Sequence, residues 1–208
     1  MGKYKPRAST EEKRREILLV ASDVFGKKGT SNATLEEIAD RVGMTRAGVL
    51  HHFKSKRALL LEVIKFRDVH DLENLEGKRM PRGADLFRHL IDTVKTNVER
   101  PGIVQTFVTL SSESVTDNNP GREDFANRYD ALRGEITDAL IDIAKERKAT
   151  INIAEAERAS SAIIGLLDGV QLQWLLEPDK VDLVKSSEYG VRKIVASVFS
   201  AAPNEEYF

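Results

Sequence analysis

The sequence predicts an all-α protein: an N-terminal three-helix helix-turn-helix module, then a larger helical domain, about nine helices in all. Three observations predict it. Apolar residues recur at i, i+3, i+4 and i+7 through nearly the whole chain, the spacing of one helix face. Alternating apolar/polar runs, the signature of half-buried strands, are scarce. The stretch TLEEIADRVGMTRAGVLHHFKSK, residues 34–56, holds two short helices joined by a tight turn and the start of a third.

Helix 1 spans 10–27. Thr10 caps it, Lys13 and Arg14 face outward, Ile17, Leu18, Ala21 and Phe25 form its buried stripe, and Gly29 ends it. Helix 2 spans 35–41. Thr34 with Glu37 three residues later makes a capping box, and Leu35, Ile38, Ala39 and Val42 share one face. Gly43 stands where the chain must leave this helix with a positive φ. Thr45 caps helix 3, residues 46–51. A short helix, a Gly-containing turn and a second helix with a polar tip form a helix-turn-helix, whose second helix can enter the DNA major groove.

Ser55 caps helix 4, which runs to about residue 75 with Leu59, Leu60, Val63 and Ile64 apolar. EGKRMPRG, 76–83, is a loop rich in Gly, Pro and charge. Helix 5 covers 84–99, with Leu86, Phe87, Leu90, Ile91, Val94 and Val98 inward. Pro101 suits the first turn of helix 6, which carries Ile103, Val104, Phe107, Val108 and Leu110. TDNNPG, 116–121, breaks the chain again. Helix 7 is long, 122–147, with Phe125, Tyr129, Leu132, Ile136, Leu140 and Ile143 on one face. Helix 8, 155–176, is apolar nearly all round, the mark of burial on all sides in a core or at a subunit interface. Helix 9, 185–200, offers Val191, Ile194, Val195, Val198 and Phe199. The domain boundary is placed at 54: residues 1–54 hold the helix-turn-helix and residues 55–208 the larger helical domain, to which the resemblance described below assigns ligand binding and dimerisation.

Charge divides along the same line. Residues 1–57 hold 13 Lys/Arg against 7 Asp/Glu, net +6; residues 58–208 hold 19 against 26, net −7. A basic N-terminal segment on an acidic body points to a polyanion met by the first part alone. No cysteine is present, which removes disulfides, thiolate nucleophiles and Cys-rich zinc sites. No apolar run has the length of a signal peptide or membrane span, so a cytoplasmic protein with no membrane partner is expected. The chain has four histidines and no GxSxG, P-loop, GxGxxG or HExxH, so neither an enzyme nor a cofactor is expected. Ser111, Ser112, Glu113 and Ser114 lack an evident base and suit a pocket lining or a helix end. His51 and His52 are adjacent on a helix and point about 100° apart, which disfavours a metal pair. Asp85, His89 and Asp92 share one helix face at i, i+4, i+7, a pattern open to a cation and more often a solvated face.

The motifs Thr34-Leu35-xx-Ile38-Ala39, Val42-Gly43-Met44-Thr45 and His52-Phe53-Lys54-Ser55-Lys56-xx-Leu59-Leu60, with the Phe25 to Gly29 spacing, resemble the tetracycline-repressor (TetR) family of transcriptional regulators over about residues 14–60. The remainder resembles that family in helix count and pattern. One departure stands at the end of helix 3. The family commonly shows Leu-Tyr-x-Tyr/His-Phe, whereas here the run is Leu50-His51-His52-Phe53; Leu50 cannot bond a phosphate, which shifts that contact to His51 or His52.

The resemblance implies a ligand-responsive regulator, most simply a repressor released from a palindromic operator by a small molecule. The expected partners are double-stranded DNA, a small-molecule effector, and a second copy of the chain docked through helices 8 and 9. For DNA the candidates are Thr34, Thr45, Arg46, Ala47, Gly48, His51, His52 and Lys56. Arg46 at the tip of helix 3 has the planar fork that matches guanine O6/N7. Ala47 and Gly48 are small enough for close approach, and the two threonines cap helices whose free N–H groups also favour phosphate. Lys56 is read as a phosphate clamp, and the arm Lys3, Lys5 and Arg7 as a reach toward phosphates or the minor groove. For the effector, candidate walls are Phe66, Leu90, Phe107, Leu110, Phe125, Tyr129 and Trp174. Glu113, Arg133 and Gln171 are the polar anchors. The competing readings are an all-helical small-molecule-binding protein or enzyme without a DNA role, and a helical adaptor that binds protein through helices 8 and 9.

Overall fold

The computed structural model describes residues 10–73, 79–119 and 121–199, with side chains for all of these but 67–73. Nine α-helices and no strand occur among the described residues: α1 (Thr10–Asn32), α2 (Leu35–Arg41), α3 (Arg46–His52), α4 (Lys56–Glu73), α5 (Gly83–Val98), α6 (Pro101–Glu113), α7 (Arg122–Arg147), α8 (Ile153–Leu176) and α9 (Leu183–Phe199). The last predicted residues of helix 4 and the first three of the 76–83 loop lie outside the described residues.

Two compact units divide the chain. One comprises residues 1–73 and 100–107, the other 74–99 and 108–208. In the first unit α1 packs on α2 and α4, and α2 on α3. Ile17, Ala21, Val24 and Phe25 of α1 close its core with Ile38, Val49, Leu59 and Val63. Gly29, predicted to end helix 1, sits inside α1 at φ 69° and kinks it; helical turns resume to Asn32. The start of α6 lies so close to α1 that a Cβ on Gly102 would strike the carbonyl oxygens of Phe25 and Gly26. Backbone cannot move aside as a side-chain tip can, so only glycine fits there.

In the second unit α7 packs on α5 and α8, and α9 on α5 and α8. Leu86, Ile136, Leu140, Ile163 and Leu183 are buried in its core. Caps explain where α8 and α9 begin. The Asn152 side chain accepts from Glu155 N, and Asp182 Oδ1 accepts from Lys185 N at 2.9 Å, so both helices start two residues before the predicted positions.

Within the single chain α8 is buried along one side. Ile163, Ile164, Leu167 and Val170 are buried, but Leu172 is 45% and Leu176 72% exposed. By length and composition α8 passes for a membrane span, the one helix among the described residues that does. It also carries Asp168 at its middle and packs along α7 and α9, as a core helix does.

Candidate nucleic-acid interface and effector region

The helix-turn-helix is built by its caps. Thr34 Oγ1 accepts from Glu37 N at 3.2 Å, and Thr45 Oγ1 accepts from Gly48 N at 3.1 Å. Gly43 has φ 65° and open space where a Cβ would stand, so conformation selects glycine at this turn. Val49 is fully buried and anchors α3. Around that anchor Arg46, Ala47 and His51 are exposed, while Gly48, Leu50 and His52 are half-buried. Thr34, Thr45 and Lys54 are exposed beside them.

Each candidate side chain has a definite surrounding. Arg46 Nε lies 2.9 Å from Glu36 Oε1, an ion pair between two exposed side chains. A Cβ on Gly48 would stand 3.0 Å from Met44 Cε, the mobile tip of a side chain. The His51 and His52 rings meet edge-on at 5.8 Å. Lys56 Nζ donates to the Thr30 carbonyl at 2.6 Å, which ties α4 to the end of α1 and leaves two of its three N–H donors. The arm Lys3, Lys5 and Arg7 lies outside the described residues.

Three residues have roles that the sequence does not display. Lys13 and Arg14, expected to face outward, are half-buried and turned inward. Lys13 Nζ donates to the Val42 carbonyl at 2.9 Å. Arg14 Nη1 donates to the His52 carbonyl at 2.9 Å, Nη2 pairs with Glu62 at 2.6 Å, and the guanidinium stacks 4.2 Å over the Phe53 ring. This clip fixes the C-terminal end of α3 to α1 and α4. Glu36 is the third: nothing in the sequence shows that a helix 2 carboxylate reaches Arg46 across the turn.

The ten candidate effector residues are spread over both units. Phe66 and Phe107 belong to the first unit and the other eight to the second. Leu90 is buried in the core cluster, Leu110 and Phe125 are buried, and Trp174 is half-buried against that cluster. Gln171 is buried and donates to its own helix at the Leu167 carbonyl, 3.1 Å away. Glu113 is exposed, and Arg133 pairs with Asp130 at 3.1 Å. Tyr129 is different: its hydroxyl donates to Asp168 Oδ2 at 2.6 Å, from α7 to α8. Burial pushes the Asp168 carboxyl upward, against the pull of the Tyr129 hydrogen bond and the Arg128 charge. Burial also drives the Tyr129 hydroxyl far up, with the bond to Asp168 adding to it. Burial raises Glu135 as well, opposed by Arg128. Asp168 escaped the sequence reading because it sits between apolar residues on a helix read as uniformly apolar.

Asp85 and Asp92, two of the possible cation ligands, are engaged by basic neighbours three residues on, Arg88 and Lys95. Among the described residues no group of three His, Cys, Asp or Glu could hold a metal.

An all-helical fold presenting a capped helix-turn-helix with an exposed second helix defines a DNA-binding regulator. Comparison with known proteins agrees. The family model for bacterial regulatory proteins of the tetR family matches residues 17–63. The regulator TtgR of Pseudomonas putida is 26% identical over 192 residues, covering 87% of this chain and 89% of TtgR. The transcriptional repressor BepR of Brucella suis is 23% identical over 94% of this chain and 96% of its own. SmeT, repressor of the Stenotrophomonas maltophilia multidrug efflux pump SmeDEF, has the same fold: TM-score 0.66 at 20% identity, 91% of each chain covered. Its complex with triclosan gives a TM-score of 0.67 at 20% identity, covering 93% of this chain and 96% of that one. Residues 17–63 thus match the tetR family model, and over most of its length the chain is similar to HTH-type transcriptional regulators.

Proposed function

We propose that this chain is a repressor that binds a near-palindromic operator as a homodimer and leaves it when a small molecule binds the second unit. The observation that carries the DNA role is the geometry of α3: Val49 holds the helix from beneath while Arg46, Ala47 and His51 face outward. In this reading Arg46 gives up its exposed ion pair with Glu36 for a guanine edge. The exchange is favourable, because an exposed pair is worth roughly 0–1 kcal/mol and a bidentate base contact about 1–3. Thr34, Thr45, His51, His52 and the remaining donors of Lys56 meet phosphate, and Gly48 lets the backbone come close. A regulator of this kind works where the DNA is, in the bacterial cytoplasm.

The exposed strip of α8 favours dimerisation through α8 and α9. Ala162, Gly165, Leu172 and Leu176 are exposed and Gly169 half-buried, spaced 3, 4, 3 and 4 residues apart, the seam of two helices that pack along their length. Tyr189 of α9 adds 68% of its surface to the same open side chains. Reading two half-sites as a dimer requires the two α3 helices to stand roughly 34–36 Å apart, one turn of DNA.

For the effector we infer an anchor in the polar couple Tyr129–Asp168; Leu110, Phe125, Gln171 and Trp174 belong to the same unit. Triclosan bound to SmeT shows that a relative in fold takes a small aromatic molecule. The effector must bind one half-site spacing better than the other, since equal affinity for both shifts nothing. The test is selection of duplexes from a random pool by the full chain and by Arg46→Ala. The proposal expects one symmetric site, with its base preference relaxed in the variant; unchanged preference in Arg46→Ala would remove Arg46 from base reading.

A further inference from the structure

A groove of about 530 Å³ runs along the second unit where α5, α7 and α9 meet. It shares no residue with the Tyr129–Asp168 couple or with the ten effector candidates. Its floor is apolar: Phe87, Ile91, Ile143, Val191, Val195 and Phe199. Its rim is basic. Arg88, Lys95, Arg147 and Arg192 line it against only Asp92 and Glu188, a net positive depression on a body whose residues 58–208 carry net −7. Lys95 pairs with Asp92 at 2.7 Å, Arg192 with Glu188 at 2.7 Å, and Arg88 with Asp85. Arg147 makes no ion pair with a described residue; its guanidinium lies 5.4 Å over the Phe199 ring at the edge of the floor.

We propose that this groove is a second ligand site, for an anionic amphiphile: one carboxylate set on Arg147 and an alkyl chain laid along the apolar floor. Volume suits a small molecule, for which sites of roughly 300–1,000 Å³ are usual. The two parts have different tasks. The floor supplies affinity, about 0.8 kcal/mol for each methylene fully buried. The exposed rim chooses the sign of the headgroup, and Arg147 offers the planar fork that a carboxylate fits.

Calorimetric titration of the full chain with dodecanoate, below its micellar range, tests this. Dodecanol and dodecyltrimethylammonium serve as neutral and cationic probes. One dodecanoate per chain is expected, bound more tightly than either comparison probe. Arg147→Gln weakens it about tenfold or more, as loss of a charged hydrogen bond does. Arg147→Lys recovers part of that loss, and Val195→Trp, which fills the floor, weakens all three probes. Asp168→Asn leaves dodecanoate binding unchanged, which separates this site from the effector region. Equal binding by Arg147→Gln, preference for the cationic probe, many ligands per chain, or loss in Asp168→Asn would overturn the proposal. So would binding only to a chain ending at Phe199, which would assign the groove to residues 200–208 of the protein itself.

Discussion

Arg46 and Gly48 carry the sharpest consequences of single side chains. In the proposed role, replacing Arg46 by Ala should cost about 1–3 kcal/mol of base discrimination. It breaks only an exposed ion pair with Glu36, so thermal stability should stay within about 0.5 kcal/mol of the parent. Operator affinity in gel shifts, set beside melting temperature, checks both halves. Gly48→Ala separates the DNA role from the fold in the opposite sense. A Cβ there is tight against only the flexible tip of Met44 at 3.0 Å, with Thr45 Oγ1 and Met44 Cβ at ordinary contact distance, and alanine is favoured over glycine in a helix interior by about 1 kcal/mol. The variant should therefore be as stable as the parent or more so, yet bind the operator more weakly because the added methyl holds the backbone off the groove. Equal operator binding would show that α3 does not approach DNA at this residue.

Within elements, polar groups placed on apolar helices give two stability predictions. Ser187 of α9 is fully buried and its hydroxyl has no hydrogen-bond partner among the described residues. Ser187→Ala removes an unmet group and should raise stability by about 1 kcal/mol, read in urea melts. Asp168 of α8 predicts a pH dependence. Its folded carboxyl titrates above the ordinary 3.8, so as pH rises the unfolded chain loses that proton first and the folded state is penalised. Asp168→Asn keeps an oxygen for the Tyr129 hydroxyl and lacks the charge. It should be more stable than the parent at pH 7, with the gain shrinking as pH falls through the raised value and vanishing below about 3.8. A gain independent of pH would show that Asp168 is not held above its ordinary value.

How far these elements were legible depends on where their determinants lie along the chain. α2 and α3 were readable because Thr34, Gly43 and Thr45 are local signals: a cap, a positive φ and a second cap within twelve residues. α7 was readable from its apolar face, although its end is made by Lys148 in the left-handed region, where no glycine announces it. Gly29 was legible as the end of helix 1, but not as a kink followed by further turns to Asn32. The Arg14 clip, the Glu36–Arg46 pair and the Tyr129–Asp168 bond join residues 48, 10 and 39 positions apart. Such pairings arise only when helices pack, and no period in the sequence encodes them. The effector residues were chosen as aromatic and apolar positions on core faces, which cannot separate a pocket wall from a filled core.

For the whole molecule, operator binding requires symmetry. In the proposed dimer Ala162, Gly165, Gly169, Leu172 and Leu176 would form the seam between identical helices, and its two-fold axis would present α3 twice. A charge at the centre of that seam, Leu172→Glu, should split the dimer in sedimentation and weaken operator binding far more than it weakens the fold, since Leu172 is 45% exposed in the single chain. Salt carries the second signature. Each phosphate neutralised lowers log affinity by about 0.9 per unit of log salt, so the dimer should show roughly twice the slope of the split variant. Whether paired α3 helices read sequence is decided by selection from random duplex DNA with the purified full chain at physiological salt. A near-palindromic site is predicted, its half-sites one helical turn apart and bound by two chains. Recovery of duplexes with no common sequence would contradict that reading.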